Sequence, residues 1–136
     1  MKEPSEARKR TIALQQRAIR FSVDVCKSCP ASGLSIPSGI VWNQLVRAAD
    51  SASNNLVEAD DASSPADFLN KLRLALRETK EARTCIQKVK RAGLSNAAEL
   101  VKLELEEEAD QLAAIFATII IKVERRLAST KTARSR

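Results

Sequence analysis

The sequence predicts an all-α fold, an antiparallel up-down-up-down four-helix bundle. Three observations lead there. Only three glycines and four prolines interrupt 136 residues, and β-branched clusters bounded by turn residues are scarce. Apolar residues recur at steps of three and four over four long segments. The joints between those segments are short, which makes sequential helices antiparallel neighbours.

Helix one is expected from about Ser5 to Lys27, ending in Cys29-Pro30-Ala31-Ser32-Gly33. It carries two apolar rows, Leu14, Ala18, Phe21, Val25 and Ile12, Ile19, Val23, Cys26, as a helix packed against two neighbours needs. Helix two starts near Pro37-Ser38 and continues to about Asp60, burying Val41, Leu45, Ala48, Ala52, Leu56 and Ala59. Ser64-Pro65-Ala66-Asp67 then supplies an N-cap, a proline at the first helical position and a carboxylate three residues after the cap. Helix three runs from there to Gly93, with Phe68, Leu72, Ala75, Leu76, Thr79, Ala82, Ile86 and Val89 inward. Asn96 with Glu99 reads as an Asx version of a capping box. It opens a single helix four that reaches about Leu127 through Leu105, Ala109, Leu112, Phe116, Ile119 and Val123. Residues 1–128 form one domain. The tail 129–136, basic and without an apolar row, is expected to be disordered.

Charge is distributed unevenly. The net charge is +6, which points to acidic partners, with nucleic acid first. Residues 64–93 hold eight Lys/Arg against three acids. Rotated away from the buried row of helix three, Arg73, Arg77, Lys80, Thr84, Lys88 and Arg91 follow one another at intervals of four or three. Five cations therefore share one line, and Arg73, Arg77, Lys80, Lys88 and Arg91 are the candidate phosphate contacts. Their plainer role is solubility, and Arg77 has Glu81 one turn on as an ion-pair partner. With three Phe, one Trp and no Tyr, the chain is poor in the stacking platforms that read unpaired bases. Contact with backbone and shape is expected instead.

Enzyme chemistry finds little support. The chain has no histidine and no tyrosine, which removes the commonest general base and the commonest transition-metal ligand. No glycine-rich phosphate loop is present. Cys26-Lys27-Ser28-Cys29 has knuckle spacing, but only Cys85 remains to complete a site that needs four ligands. No catalytic residue, metal or cofactor is expected. The N-terminus lacks a signal peptide's apolar core. Leu112 to Ile121 is the longest apolar run, about half a bilayer span. A cytoplasmic protein without membrane contact is the expectation.

Helix four has more apolar surface than one seam uses. Leu74, Ile115, Ile120 and Ile121 lie beside the main rows, and so does Cys85. They belong either to a broad core stripe or to a second seam between subunits. Asn55, Glu58 and Glu81 are spaced so that they can meet as a polar cluster. Such a cluster either fixes helix register within one bundle or links two subunits.

The stretch from about Asn43 to Leu94 resembles the four-helix-bundle proteins encoded in 23S ribosomal RNA intervening sequences. That superfamily also includes the accessory variability determinant of diversity-generating retroelements. The family's Ser-Ile-Pro-Ser-Asn-Ile-Ala-Glu-Gly appears here as Ser51-Ala52-Ser53-Asn54-Asn55-Leu56-Val57-Glu58-Ala59. Phe68-Leu69, Ala75-Leu76, Glu81 and Gly93-Leu94 match its helix-three and joint signatures. Ser53 replaces the proline and Ala59 the glycine, and Arg77-Glu78 stand where Gly-Ser is usual. The resemblance implies a ring-like homo-oligomer, a homopentamer with a basic surface. In the retroelement branch it further implies a barrel that binds nucleic acid and a reverse transcriptase, and the expectation drawn from it is a non-enzymatic accessory subunit with structured RNA as its partner. The alternative it leaves is a protein–protein scaffold whose charge serves ring assembly.

Overall fold

The protein is described by a computed structural model that covers residues 2–135. Among these residues there are five helices and no strand: α1 Glu6–Ser28, α2 Ile36–Asp60, α3 Pro65–Arg91, α4 Ala97–Lys102 and α5 Leu105–Arg134. Three of them start on a serine cap. The hydroxyl of Ser5 accepts from the backbone N–H of Arg8 at 3.1 Å, and Ser64 accepts from Asp67 at 3.1 Å. Ser35 does the same for Ser38 at 3.3 Å. Each cap satisfies a backbone donor that the first helical turn leaves unpaired.

α2 packs against α1 and α3, α3 against α5, and α5 against α1, while α4 closes one end by touching α1, α3 and α5. The core runs through Phe21 and Val25 of α1, Trp42 and Leu45 of α2, and Leu72, Ile86 and Val89 of α3. Leu100 of α4 and Leu105, Leu112 and Phe116 of α5 complete it. The Trp42 indole N–H donates to the carbonyl of Ser95 at 2.8 Å, tying α2 to the loop before α4. Ion pairs between α3 and α5 descend in order: Arg73–Glu124, Arg83–Asp110 and Lys90–Glu106. Moving forward along α3 means moving backward along α5.

The expected single helix four is two helices. Leu100 and Leu105 are both in the core, yet residues five apart on a straight helix point about 140° away from each other. The chain resolves this by breaking at Glu104, whose φ of 53° is left-handed. Asn96 is not the side-chain cap its spacing suggested. It too is left-handed, with φ 61°, and its amide Nδ2 donates to the carbonyl of Ser28 at 2.9 Å. That bond holds the α4 end onto the end of α1.

Two further differences concern surfaces. α5 continues as an exposed helix through Arg134, beyond the domain boundary placed at residue 128. The hydroxyls of Thr130 and Thr132 donate to the carbonyls of Arg126 and Ala128, each at 3.0 Å. Arg136, part of the same expected tail, lies outside the described residues. On α1, only the Leu14 row faces the core. Ile12, Ile19, Val23 and Cys26 are exposed, so the second row lies outside the core formed by the described residues.

Candidate nucleic-acid interface

The α3 stripe forms on the helix face turned away from both α2 and α5. Spacing alone produces this. Leu72, Ala75, Thr79, Ala82, Ile86 and Val89 are buried, and residues Arg77, Lys80, Thr84, Lys88 and Arg91 fall on the opposite side of a 3.6-residue turn. All five are exposed, and the Arg77 side chain keeps 72% of its surface.

The eight cations of helix three fall into two sets. Lys71 pairs with Glu58 at 3.2 Å, Arg83 with Asp110 at 2.8 Å and Lys90 with Glu106 at 2.8 Å. These three sit at the edges of α3 and join it to α2 and α5. Arg73 belongs with them in part: it lies 3.5 Å from Glu124, both side chains half exposed. Arg77 approaches Glu78, its neighbour in sequence, at 3.7 Å, and does not pair with Glu81. Lys80, Lys88 and Arg91 make no ion pair with any described residue and are free to meet an anion. Thr84 sits among them. Its hydroxyl donates to the carbonyl of Lys80 at 3.1 Å, which leaves it an acceptor toward solvent. Toward the α3 C-terminus, Thr84, Gln87, Lys88, Arg91 and Ala92 line an open depression.

The structure does not bring the predicted polar cluster together. Asn55 turns back on its own helix, its amide donating to the carbonyl of Ser51 at 2.9 Å. Glu58 goes to Lys71. Glu81 hydrogen-bonds to Arg47, whose guanidinium also lies 3.5 Å from Glu78. The Arg47–Glu78–Glu81 group was not visible from spacing, although a carboxylate on the buried side of α3 was a signal for it. The Glu78 side chain is only 9% exposed, and a buried carboxylate requires a cation close by.

The four predicted subunit-contact residues also separate. Ile120 is 7% exposed and belongs to the core. Its place beside the main row reflects a broad stripe, as does that of Cys85, at 2%. Leu74 and Ile115 are half-buried, and Ile115 lines an α1–α5 groove with Leu14 and Ile119. Only Ile121, 48% exposed, faces outward.

Other chemistry is sparse. Among the described residues no group of three or more His, Cys, Asp or Glu side chains is placed to hold a metal. Cys26, Cys29 and Cys85 are free thiols. Burial pushes the thiols of Cys29 and Cys85 above their ordinary value. Lys90 and Gln87 hydrogen-bond to Glu106 and hold its carboxyl below the usual range, and Arg8 does the same for Asp60. No described helix is long and apolar enough to cross a membrane.

In backbone shape the protein is similar to the crystal structure of a protein of unknown function from the S23 ribosomal protein family of Bacteroides thetaiotaomicron. The TM-score is 0.67 at 21% identity, over 81% of this chain and 96% of that one. At that identity the likeness concerns the fold. Among curated proteins none matches the chain. A sequence match to the 23S rRNA-intervening sequence proteins spans residues 10–118, which takes in most of α1, all of α2, α3 and α4, and the buried half of α5 together with the whole α3 stripe. On that match the chain belongs to the 23S rRNA-intervening sequence protein family.

Proposed function

We propose that this protein is a non-enzymatic, homo-oligomeric, up-down-up-down four-helix bundle that binds the phosphate backbone of structured RNA through the outer face of α3. The observation that carries the reading is the set of exposed cations Lys80, Lys88 and Arg91, none of which makes an ion pair with a described residue. Arg77 adds to them and Arg73 flanks them. In this reading the protein is an accessory subunit, most concretely beside a reverse transcriptase on its RNA in a diversity-generating retroelement. The absence of histidine and tyrosine favours binding over catalysis. The outward row on α1 and Ile121 supply apolar surface for contact between copies, in a homopentamer of about five times 14.9 kDa.

Salt titration tests the binding. Each neutralised phosphate releases condensed counterions, so log affinity should fall steeply with log salt. Replacing Lys80, Lys88 and Arg91 together with Gln should flatten that slope by roughly 2–3 units per subunit engaged. Helicity and oligomer size should not change. The same titration on a chain ending at Leu127 separates the stripe from the cations of the α5 end. Loss of all affinity on truncation, with full affinity in the triple variant, would sink the α3 reading.

A second reading has its own observation. Glu99, Glu104 and Glu107 around the α4–α5 break are exposed and make no ion pair with a described residue. They suit the basic α3 face of a neighbouring copy. The protein is then a scaffold, and the triple Gln variant should lower oligomer size rather than RNA affinity.

A further inference from the structure

We infer that the α3 stripe recognises double-stranded RNA across its minor groove, with Thr84 meeting a ribose 2′-hydroxyl between two rows of phosphates. This rests on the nucleic-acid reading above and names the form of nucleic acid that the geometry fits.

The stripe is two pairs of cations rather than a continuous line. Arg77 and Lys80 are one turn apart, and so are Lys88 and Arg91. Lys80 and Lys88 are eight residues apart along the helix, about 12 Å of axial rise. Thr84 sits midway, with the only exposed side chain on that line between the pairs. Two cationic pairs separated by a neutral gap match two phosphate rows on either side of a groove. One strand presents a single row.

Single strands are disfavoured on a second ground. Proteins that hold unpaired bases stack them on aromatic rings. Here Trp42, Phe21 and Phe116 are buried in the core, Phe68 is half-buried, and there is no tyrosine. No fully exposed ring is available to accept a base.

The short side chain at the midpoint separates RNA from DNA. A lysine or arginine reaches well beyond a threonine, so a helix laid across two rims touches the floor only where the groove is shallow. The major groove of B-DNA is about 12 Å wide but about 8.5 Å deep, and it falls away beneath Thr84. The minor groove of an A-form duplex is wide and shallow and displays 2′-hydroxyls. The Thr84 hydroxyl already donates its proton to the carbonyl of Lys80. It therefore offers lone pairs, and a 2′-hydroxyl is a donor that DNA lacks.

The experiment compares fluorescence anisotropy of the full chain on three labelled probes of one sequence: an RNA duplex, the DNA duplex and the RNA single strand. The RNA duplex is expected to bind tightest. Thr84→Val keeps the shape and removes the acceptor. It should lower affinity for the RNA duplex by roughly three- to tenfold, the range of one neutral hydrogen bond, and leave the DNA duplex unchanged. Thr84→Ser should restore the preference. Equal affinity for the two duplexes, tightest binding to the single strand, or a Thr84→Val effect shared by RNA and DNA would each overturn this inference while leaving phosphate binding by α3 intact. No binding to any probe would overturn the proposed function itself.

Discussion

The Arg73 guanidinium stands 3.5 Å from the Glu124 carboxylate, so the first cation of the α3 stripe is tethered to α5. The pair is half exposed and therefore weak. Its effect on binding is clearer than its effect on stability. Glu124 opposes the charge of a stripe cation that the sequence ranks equal to the others.

Glu124→Gln should therefore release Arg73. Nucleic-acid affinity at low salt should rise, and the salt slope should steepen by about one unit, as one more phosphate is neutralised. Thermal stability should hardly move. Unchanged affinity would show that Arg73 stands outside the binding surface, and the contacts would reduce to Arg77, Lys80, Lys88 and Arg91.

Ile120 and Ile121 are adjacent in sequence and opposite in role. Ile120→Glu places an unpaired charge in the core and should cost about 3–5 kcal/mol, visible as a large fall in melting temperature. Ile121→Glu alters an exposed position and should change fold stability by no more than about 0.5 kcal/mol. If copies of the chain meet through this face, Ile121→Glu should instead reduce the mass measured by light scattering. A stable Ile120→Glu bundle would contradict the core assignment.

The helices were legible because their signals are local. The serine cap at position 64, Pro65, and the apolar rows of α2 and α3 each act within one or two turns. The break at Glu104 was not legible. No glycine or proline marks it, and it arises because Leu100 and Leu105 must reach the same core from incompatible phases. The stripe was visible as spacing, yet spacing says nothing about neighbours across a seam. Glu124 lies 51 positions after Arg73, and only the packing of α5 on α3 reveals that they pair. Asn55, Glu58 and Glu81 failed as a cluster for the same reason, since Arg47 and Lys71 compete for the two carboxylates.

Thiol accessibility separates the three cysteines. Cys26 is exposed, Cys29 half-buried and Cys85 buried, and burial raises the thiols of Cys29 and Cys85. Reaction requires the thiolate. Alkylation near neutral pH, followed by peptide mass spectrometry, should modify Cys26 first and Cys29 more slowly. Cys85 should react only on unfolding. Rapid labelling of Cys85 in the folded protein would place it outside the core.

Acid should loosen the α3–α5 seam through Glu106. Its folded pKa is lowered by Lys90 and Gln87, so the stabilisation is fully present above the unfolded value of about 4.3. It is lost as pH falls through the lower folded value. Glu106→Gln cannot titrate and keeps the side-chain shape. Below about pH 4.3 the stability difference between the wild type and this variant should shrink. A difference that stays constant on acidification would mean that Lys90 and Glu106 do not pair in solution.

The backbone at Glu104 is open to improvement. A φ of 53° costs an L-residue about 1–2 kcal/mol. Glycine adopts the same conformation freely but loses about 0.5–1 kcal/mol more chain entropy on folding. Glu104→Gly should therefore stabilise the protein by roughly 0.5–1 kcal/mol, the difference between those two terms, seen as a rise of about 2–4 °C in melting temperature. Glu104→Ala keeps the left-handed demand and should show no rise. Asn96→Gly is the informative contrast. It relieves the same kind of strain, yet it removes the amide that donates to the Ser28 carbonyl. That carbonyl belongs to a buried serine, and leaving it unpaired costs about 1–3 kcal/mol. Asn96→Gly should accordingly destabilise while Glu104→Gly stabilises. Equal gains at both sites would show that the bond to Ser28 contributes nothing and that α4 is held to α1 by apolar packing alone.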